Sequence, residues 1–180
     1  MAVKNSRKIF KPLVFIACLI PLGWLVFLLY SDTTLGTKYM TADPVQKLDR
    51  ELGDWALIFI ILSLAVRPLA EILKKSELVA YRRMIGFFAF FYVFLHLSAY
   101  IGLNLQLDLD EFIEDVTKRN FITIGIINVI LLAPLVITST KGMIKRLGNK
   151  RWQKLHMLIY PIALLGVFHF FMMIRADFLR

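Results

Sequence analysis

The sequence predicts an all-α bundle of membrane-spanning helices, and three observations lead there. Hydrophobic residues make up 58% of the 180-residue chain, against about 45–50% in a soluble domain, and the mean hydropathy is +0.67. The apolar residues arrive in blocks of roughly 20, the length a helix needs to cross the hydrocarbon core of a bilayer. The charges are gathered in the short connections between those blocks.

Five blocks qualify as spans, at 12–30, 55–73, 84–103, 121–138 and 155–174. The first is too long for a secretory leader and lacks a small-residue cleavage site, so it counts as a span. No repeat, low-complexity tract or long linker divides the chain, which predicts one domain over 1–180. The chain stops close behind the fifth block.

Charge sets the expected orientation. The N-terminus carries Lys4, Arg7, Lys8 and Lys11 with no acid, and 31–54 holds three basic and five acidic residues. The connection 67–83 has Arg67, Lys74, Lys75, Arg82 and Arg83 against Glu71 and Glu77. Residues 104–120 are acidic (Asp108, Asp110, Glu111, Glu114, Asp115), with Lys118 and Arg119 as the only bases. The connection 139–154 has Lys141, Lys145, Arg146, Lys150, Arg151 and Lys154 and no acid. The alternation places the N-terminus and both basic connections in the cytoplasm by the positive-inside rule. The acidic connections then face the periplasm. The rule accounts for the net charge of +9 without a nucleic-acid partner.

Several chemistries are excluded. Cys18 is the only cysteine, so there is no internal disulfide, CxxC pair or iron–sulfur cluster. No P-loop, HExxH or Ser–His–Asp set is present.

The three histidines, His96, His156 and His169, all fall in the third and fifth spans. Ionisable side chains inside a membrane are costly and point first to function. The competing reading of any one of them is a helix–helix hydrogen bond. Neutral imidazole is also a common axial ligand of haem iron. His96 lies 96−83=13 residues beyond Arg83 and His169 lies 169−154=15 residues beyond Lys154, roughly 20 and 22 Å at 1.5 Å per residue. Equal depth predicts that the two hold one bis-histidine b-type haem toward the outer half of the bilayer. His156, two residues beyond Lys154, belongs to a second level about 20 Å away. On an ideal helix His156 and His169 are some 140° apart in azimuth, and Pro161 between them is a candidate kink.

Arg82 precedes His96 by 14 residues, about 40° from its face. Arg82 and Arg83 serve topology by snorkelling, or clamp an anionic group such as haem propionates or a flavin phosphate. Tyr92 and Tyr100 flank His96 at i±4, as Trp152 and Tyr160 flank His156. Packing and interfacial belts account for most such aromatics, and Trp152 is retained as a cofactor-binding candidate. Gly86 and Gly125 suit close helix packing, or close approach of a macrocycle. Asn128 fits an interhelical hydrogen bond, Thr138, Ser139 and Thr140 end the fourth span, and Asp43–Pro44 fits a turn. The acidic run 108–115 fits a solvated face, with docking of an outer partner as the alternative.

The segments RRMIGFFAFFYVFLHLSAY, ADPV and, most specifically, TSTKGMIKRLGNKRWQKLH resemble the MsrQ (YedZ) family, in the ferric-reductase-like transmembrane superfamily. The resemblance covers nearly the whole chain. It implies a b-type cytochrome of the bacterial inner membrane, with His96, His156 and His169 as the haem-binding histidines. It also implies electron delivery to a periplasmic molybdopterin enzyme, MsrP, which repairs oxidised methionine. The implied donor is the quinol pool or a cytoplasmic flavin reductase. Such a subunit transfers electrons and does not itself reduce the substrate. The superfamily often has two histidines on each of these spans. Here Arg82 stands at the expected inner position, leaving one or two haems, or FMN at the inner site, as alternatives. Family members commonly have six spans, which leaves a sixth outside this sequence as an alternative. Three other readings compete: a direct quinol or ferric reductase, a proton-coupled transporter using its histidines as relays, and a structural membrane partner.

Overall fold

The computed structural model describes residues 2–178 and is helical throughout, with no strand among the described residues. Two compact units divide at Tyr100/Ile101. The first holds α1 (Ala2–Leu35), α2 (Pro44–Ile72), a 3₁₀ segment (Ser76–Tyr81) and α3 (Arg82–Ala99). The π-helical turn Tyr100–Asn104 begins at the division. The second unit continues with α4 (Leu109–Lys118), α5 (Asn120–Ile137), α6 (Lys141–Leu147), α7 (Asn149–His156) and α8 (Ile159–Phe178).

Five helical stretches are long and apolar enough to cross a membrane: Phe10–Leu35, Pro44–Ile72, Ser76–Asn104, Asn120–Ile137 and Asn149–Ala176. They match the five expected spans. Ile20, Phe94, Ile130, Leu164 and Phe171 are each more than half exposed, as suits lipid-facing positions of a multi-pass membrane protein.

Both α1 and α2 outrun their apolar blocks, and the longest extension at one end is that of α2. Residues 44–54, which carry five charges and read as a connection in the sequence, are helical. Asp43 is instead the N-cap of α2. Its side chain accepts from the Gln46 N–H at 2.9 Å, and Pro44 occupies the first turn. An aspartate cap followed by proline is a strong helix start, so the expected turn is the first turn of a helix. The true α1–α2 connection is short and tied by Asp32, which accepts from Thr37 Oγ1, Tyr39 N and Met40 N at 2.6–2.9 Å. The acidic connection also contains a helix, α4, capped by Asp108. Asp115 of α4 is buried and pairs with Arg119 at 2.9 Å, so the acidic run is not wholly solvated. The Lys118 ammonium beside Glu114 holds that carboxyl below its usual range.

Small and aromatic side chains bring α2 and α3 together. Ala56 and Ala89 are buried, and Phe59 stacks on Tyr92 at 5.1 Å. Close packing of this kind is what holds helices together in lipid, where burial of apolar surface gives little net drive. Tyr92 has no exposed surface, and its hydroxyl enters the hydrogen-bond ladder of α1. It accepts from Leu22 N (3.1 Å) and donates to Cys18 O (2.9 Å). Those two groups are partners in an unbroken α-helix. The insertion lies beside Pro21, which removes a neighbouring rung of the same ladder.

Candidate functional site

Each unit holds one transmembrane histidine in the same setting. His96, in the last turn of α3, lies against the first half of α2. Its Nδ1 is 2.9 Å from the Asp49 carbonyl oxygen. The glycine four residues on, Gly53, faces the ring: a Cβ there would stand 3.2 Å from His96 Cε1. His169, on α8, lies against the start of α5. Its Nδ1 is 2.6 Å from the Phe121 carbonyl oxygen. Gly125, again four residues on, faces the ring, and a Cβ there would stand 3.0 Å from His169 Cε1.

A helical carbonyl already accepts from the N–H four residues later. Its second lone pair can be reached only from the side of the helix. In both units a missing Cβ at that i+4 position leaves the space the imidazole fills. A carbonyl can only accept, so Nδ1 carries the proton in each ring and Nε2 carries the lone pair. That tautomer, fixed by a backbone carbonyl, is the usual state of a metal-ligating histidine. Among the described residues no three His, Cys, Asp or Glu side chains gather as a metal site.

Each ring lies against the N-terminal part of a neighbouring helix, α2 for His96 and α5 for His169. Asp49 and Gly53 are in the charged first part of α2, and Phe121 and Gly125 follow α4. The Asp49 carboxylate adds charge to the first site. Its Oδ1 is also 2.9 Å from His96 Nδ1, but this oxygen is buried and makes no well-directed hydrogen bond. The ring N–H therefore points to the carbonyl, with the carboxylate beside it.

His156 stands in a different setting at the other end of α5. The Trp152 ring lies 4.1 Å from its ring at 33°. Trp152 Nε1 donates to the Thr138 carbonyl at 3.1 Å. Thr138 Oγ1 is 2.6 Å from Pro134 O and 3.2 Å from His156 Nε2. The hydroxyl proton goes to Pro134, so Oγ1 accepts from Nε2–H. His156 therefore has the opposite tautomer to His96 and His169. The two anchors at the ends of α5, Phe121 and the C-cap Thr138, are 138−121=17 residues apart, about 26 Å at 1.5 Å per residue. Separate histidine levels in this unit match the sequence spacing. The helix is interrupted at Met157–Leu158, one turn before Pro161. The proline cannot bond the Met157 carbonyl, which accepts from Tyr160 N at 3.1 Å instead.

Arg82 and Arg83 open α3, Arg82 half-buried and Arg83 exposed. Tyr92 is committed to α1, and Tyr160 is 62% exposed. A Cβ on Gly86 would meet nothing within 4 Å, whereas Gly125 makes room for a ring. The Asn128 side-chain oxygen is buried without a hydrogen-bond partner, so the expected interhelical bond is not made through it. Asp49, Gly53 and the Phe121 carbonyl were missed from sequence. Asp49 and Gly53 lay in a segment assigned to a loop, and a backbone carbonyl leaves no trace in residue type. The only usable signal was a glycine four residues after each anchor.

The model of the ferric reductase like transmembrane component matches residues 50–167. The chain is 43% identical over 175 residues to the protein-methionine-sulfoxide reductase heme-binding subunit MsrQ of Rhodospirillum rubrum, covering 97% of this chain and 81% of that one. It is 44% identical over 165 residues to the protein of the same name from Caulobacter vibrioides, covering 92% and 76%. The magnetosome protein MamZ of Magnetospirillum gryphiswaldense is 43% identical over 169 residues, covering 93% of this chain but 26% of MamZ. On the family match, and on identity sustained over most of both chains, this chain belongs to the MsrQ family of ferric-reductase-like transmembrane proteins.

Proposed function

We propose that this chain is a b-type cytochrome that carries electrons across the bacterial inner membrane to a periplasmic molybdopterin methionine sulfoxide reductase, MsrP. The observation that carries the reading is the repeated setting of His96 and His169. Each ring is held by a carbonyl and admitted by a glycine four residues on, with Nε2 as the lone-pair nitrogen. This donor set fits axial ligation of haem iron, and the two relatives are named as heme-binding subunits. Bound haem would supply the one-electron chemistry. The protein's part is to fix both imidazole tautomers and to set each ring among apolar helices. Charge segregation supports a cytoplasmic N-terminus and basic end, with the acidic end periplasmic. His156, Trp152, Arg82 and Arg83 lie in or beside basic segments, which the positive-inside rule assigns to the cytoplasm, where a quinol or a flavin reductase would deliver electrons.

The test is reoxidation of the reduced protein by different acceptors. Detergent-purified protein, reduced under anaerobic conditions, is mixed with a periplasmic MsrP and methionine sulfoxide. Rapid return of the oxidised Soret band, requiring both additions, supports the reading. Equally fast return with a ferric chelate or a quinone alone would favour a direct reductase. Absence of any Soret band in protein made with haem available would overturn it.

A further inference from the structure

The carboxylate beside His96 is not what holds the ring. Asp49 Oδ1 is buried, has no well-directed hydrogen-bond donor, and lies 2.9 Å from His96 Nδ1. A carboxylate oxygen removed from water without a donor is costly unless positive charge compensates it. The carbonyl of the same residue already takes the ring N–H, so holding the imidazole does not require the side chain. Asp49 is on the first half of α2. Its side chain is 16% exposed. The placement is explained if the imidazole becomes the conduit of a positive charge, as a ligand to ferric iron does.

We infer that Asp49 is a positioning residue that sets the redox potential at the His96 ligand. The inference rests on the haem reading above. A carboxylate against the distal nitrogen of a ligating imidazole makes that imidazole a stronger donor and favours the more positive metal state. Ferric iron is thereby stabilised over ferrous iron. The one-electron couple, Fe(III) plus an electron giving Fe(II), moves to lower potential. Second-shell hydrogen bonding and charge are recognised levers on haem potential.

Redox titration of the haem-loaded protein tests this, with dithionite as reductant and ferricyanide as oxidant. Asp49→Asn keeps the shape and the backbone carbonyl but removes the charge. Glu51→Gln removes a charge two residues away, about 200° around the same helix. The expected result is a midpoint potential that rises in Asp49→Asn, rises much less in Glu51→Gln, and stays near the unsubstituted value in Asp49→Glu. A merely structural Asp49 would alter haem content without moving the potential of the haem that remains. An unchanged potential in Asp49→Asn, or a shift no larger than that of Glu51→Gln, overturns the inference. If Asp49→Asn fails to load haem, Asp49→Glu decides: restored loading at the original potential supports the inference, and failure to restore it overturns it. Loss of the haem reading itself shows differently, as unsubstituted protein without a Soret band, and the inference falls with it.

Discussion

Alanine at Gly125 puts a methyl group where the His169 ring sits. The new Cβ would stand 3.0 Å from Cε1, 3.3 Å from Nδ1 and 3.7 Å from Nε2. Carbon atoms are at their optimum near 3.5–4.0 Å, so the ring must retreat by about 0.5–1 Å. Retreat stretches the 2.6 Å bond to the Phe121 carbonyl toward or past the hydrogen-bond limit. Losing such a bond costs about 0.5–1.5 kcal/mol, and overpacking adds about 1–3 kcal/mol. The better helix propensity of alanine returns up to about 1 kcal/mol. A net cost of about 2 kcal/mol at the ligand corresponds to roughly thirtyfold weaker haem binding, at 1.4 kcal/mol per tenfold. Gly53→Ala, with its contact at 3.2 Å, is expected to lose less. Gly86→Ala, where nothing lies within 4 Å, should show only the helix gain. Hemin titration of the three apoproteins, beside their thermal midpoints, checks the order. Gly125→Ala binding hemin as tightly as Gly86→Ala would refute the reasoning.

Three other substitutions probe the fold around the site. Tyr92→Phe removes both bonds to the α1 ladder and should cost about 1–3 kcal/mol in thermal or denaturant unfolding in detergent, with the haem spectrum unchanged. Asp43→Ala removes the α2 cap and should cost about 1 kcal/mol by the same measurement. Thr138→Val removes the acceptor of His156 Nε2–H; it should lower stability by about 1 kcal/mol and leave the spectrum assigned to His96 and His169 intact.

The spans were legible because a bilayer forces long apolar blocks, and those blocks are visible in composition alone. Helix 44–54 was not, since its charges resemble a loop; the aspartate cap and the proline after it were the available sign. The histidines stood out by residue type, and the separation of His156 from His169 along the chain carried over into two different settings. What held the rings was not legible. A carbonyl acceptor carries no residue identity, and a glycine's use depends on which helix packs against it. Gly86 and Gly125 look alike in sequence, yet only Gly125 meets an imidazole. Tyr92 was aligned with His96 by helical spacing, but Pro21 of α1 opens the ladder that claims its hydroxyl.

The most direct measurement is haem per chain, with the dithionite-reduced spectrum, for the unsubstituted protein and for His96→Ala, His169→Ala and His156→Ala. His96→Ala and His169→Ala are each expected to lose the same low-spin haem, while His156→Ala keeps it. A haem that survives both of the first two substitutions would contradict the assignment of His96 and His169 as its ligands.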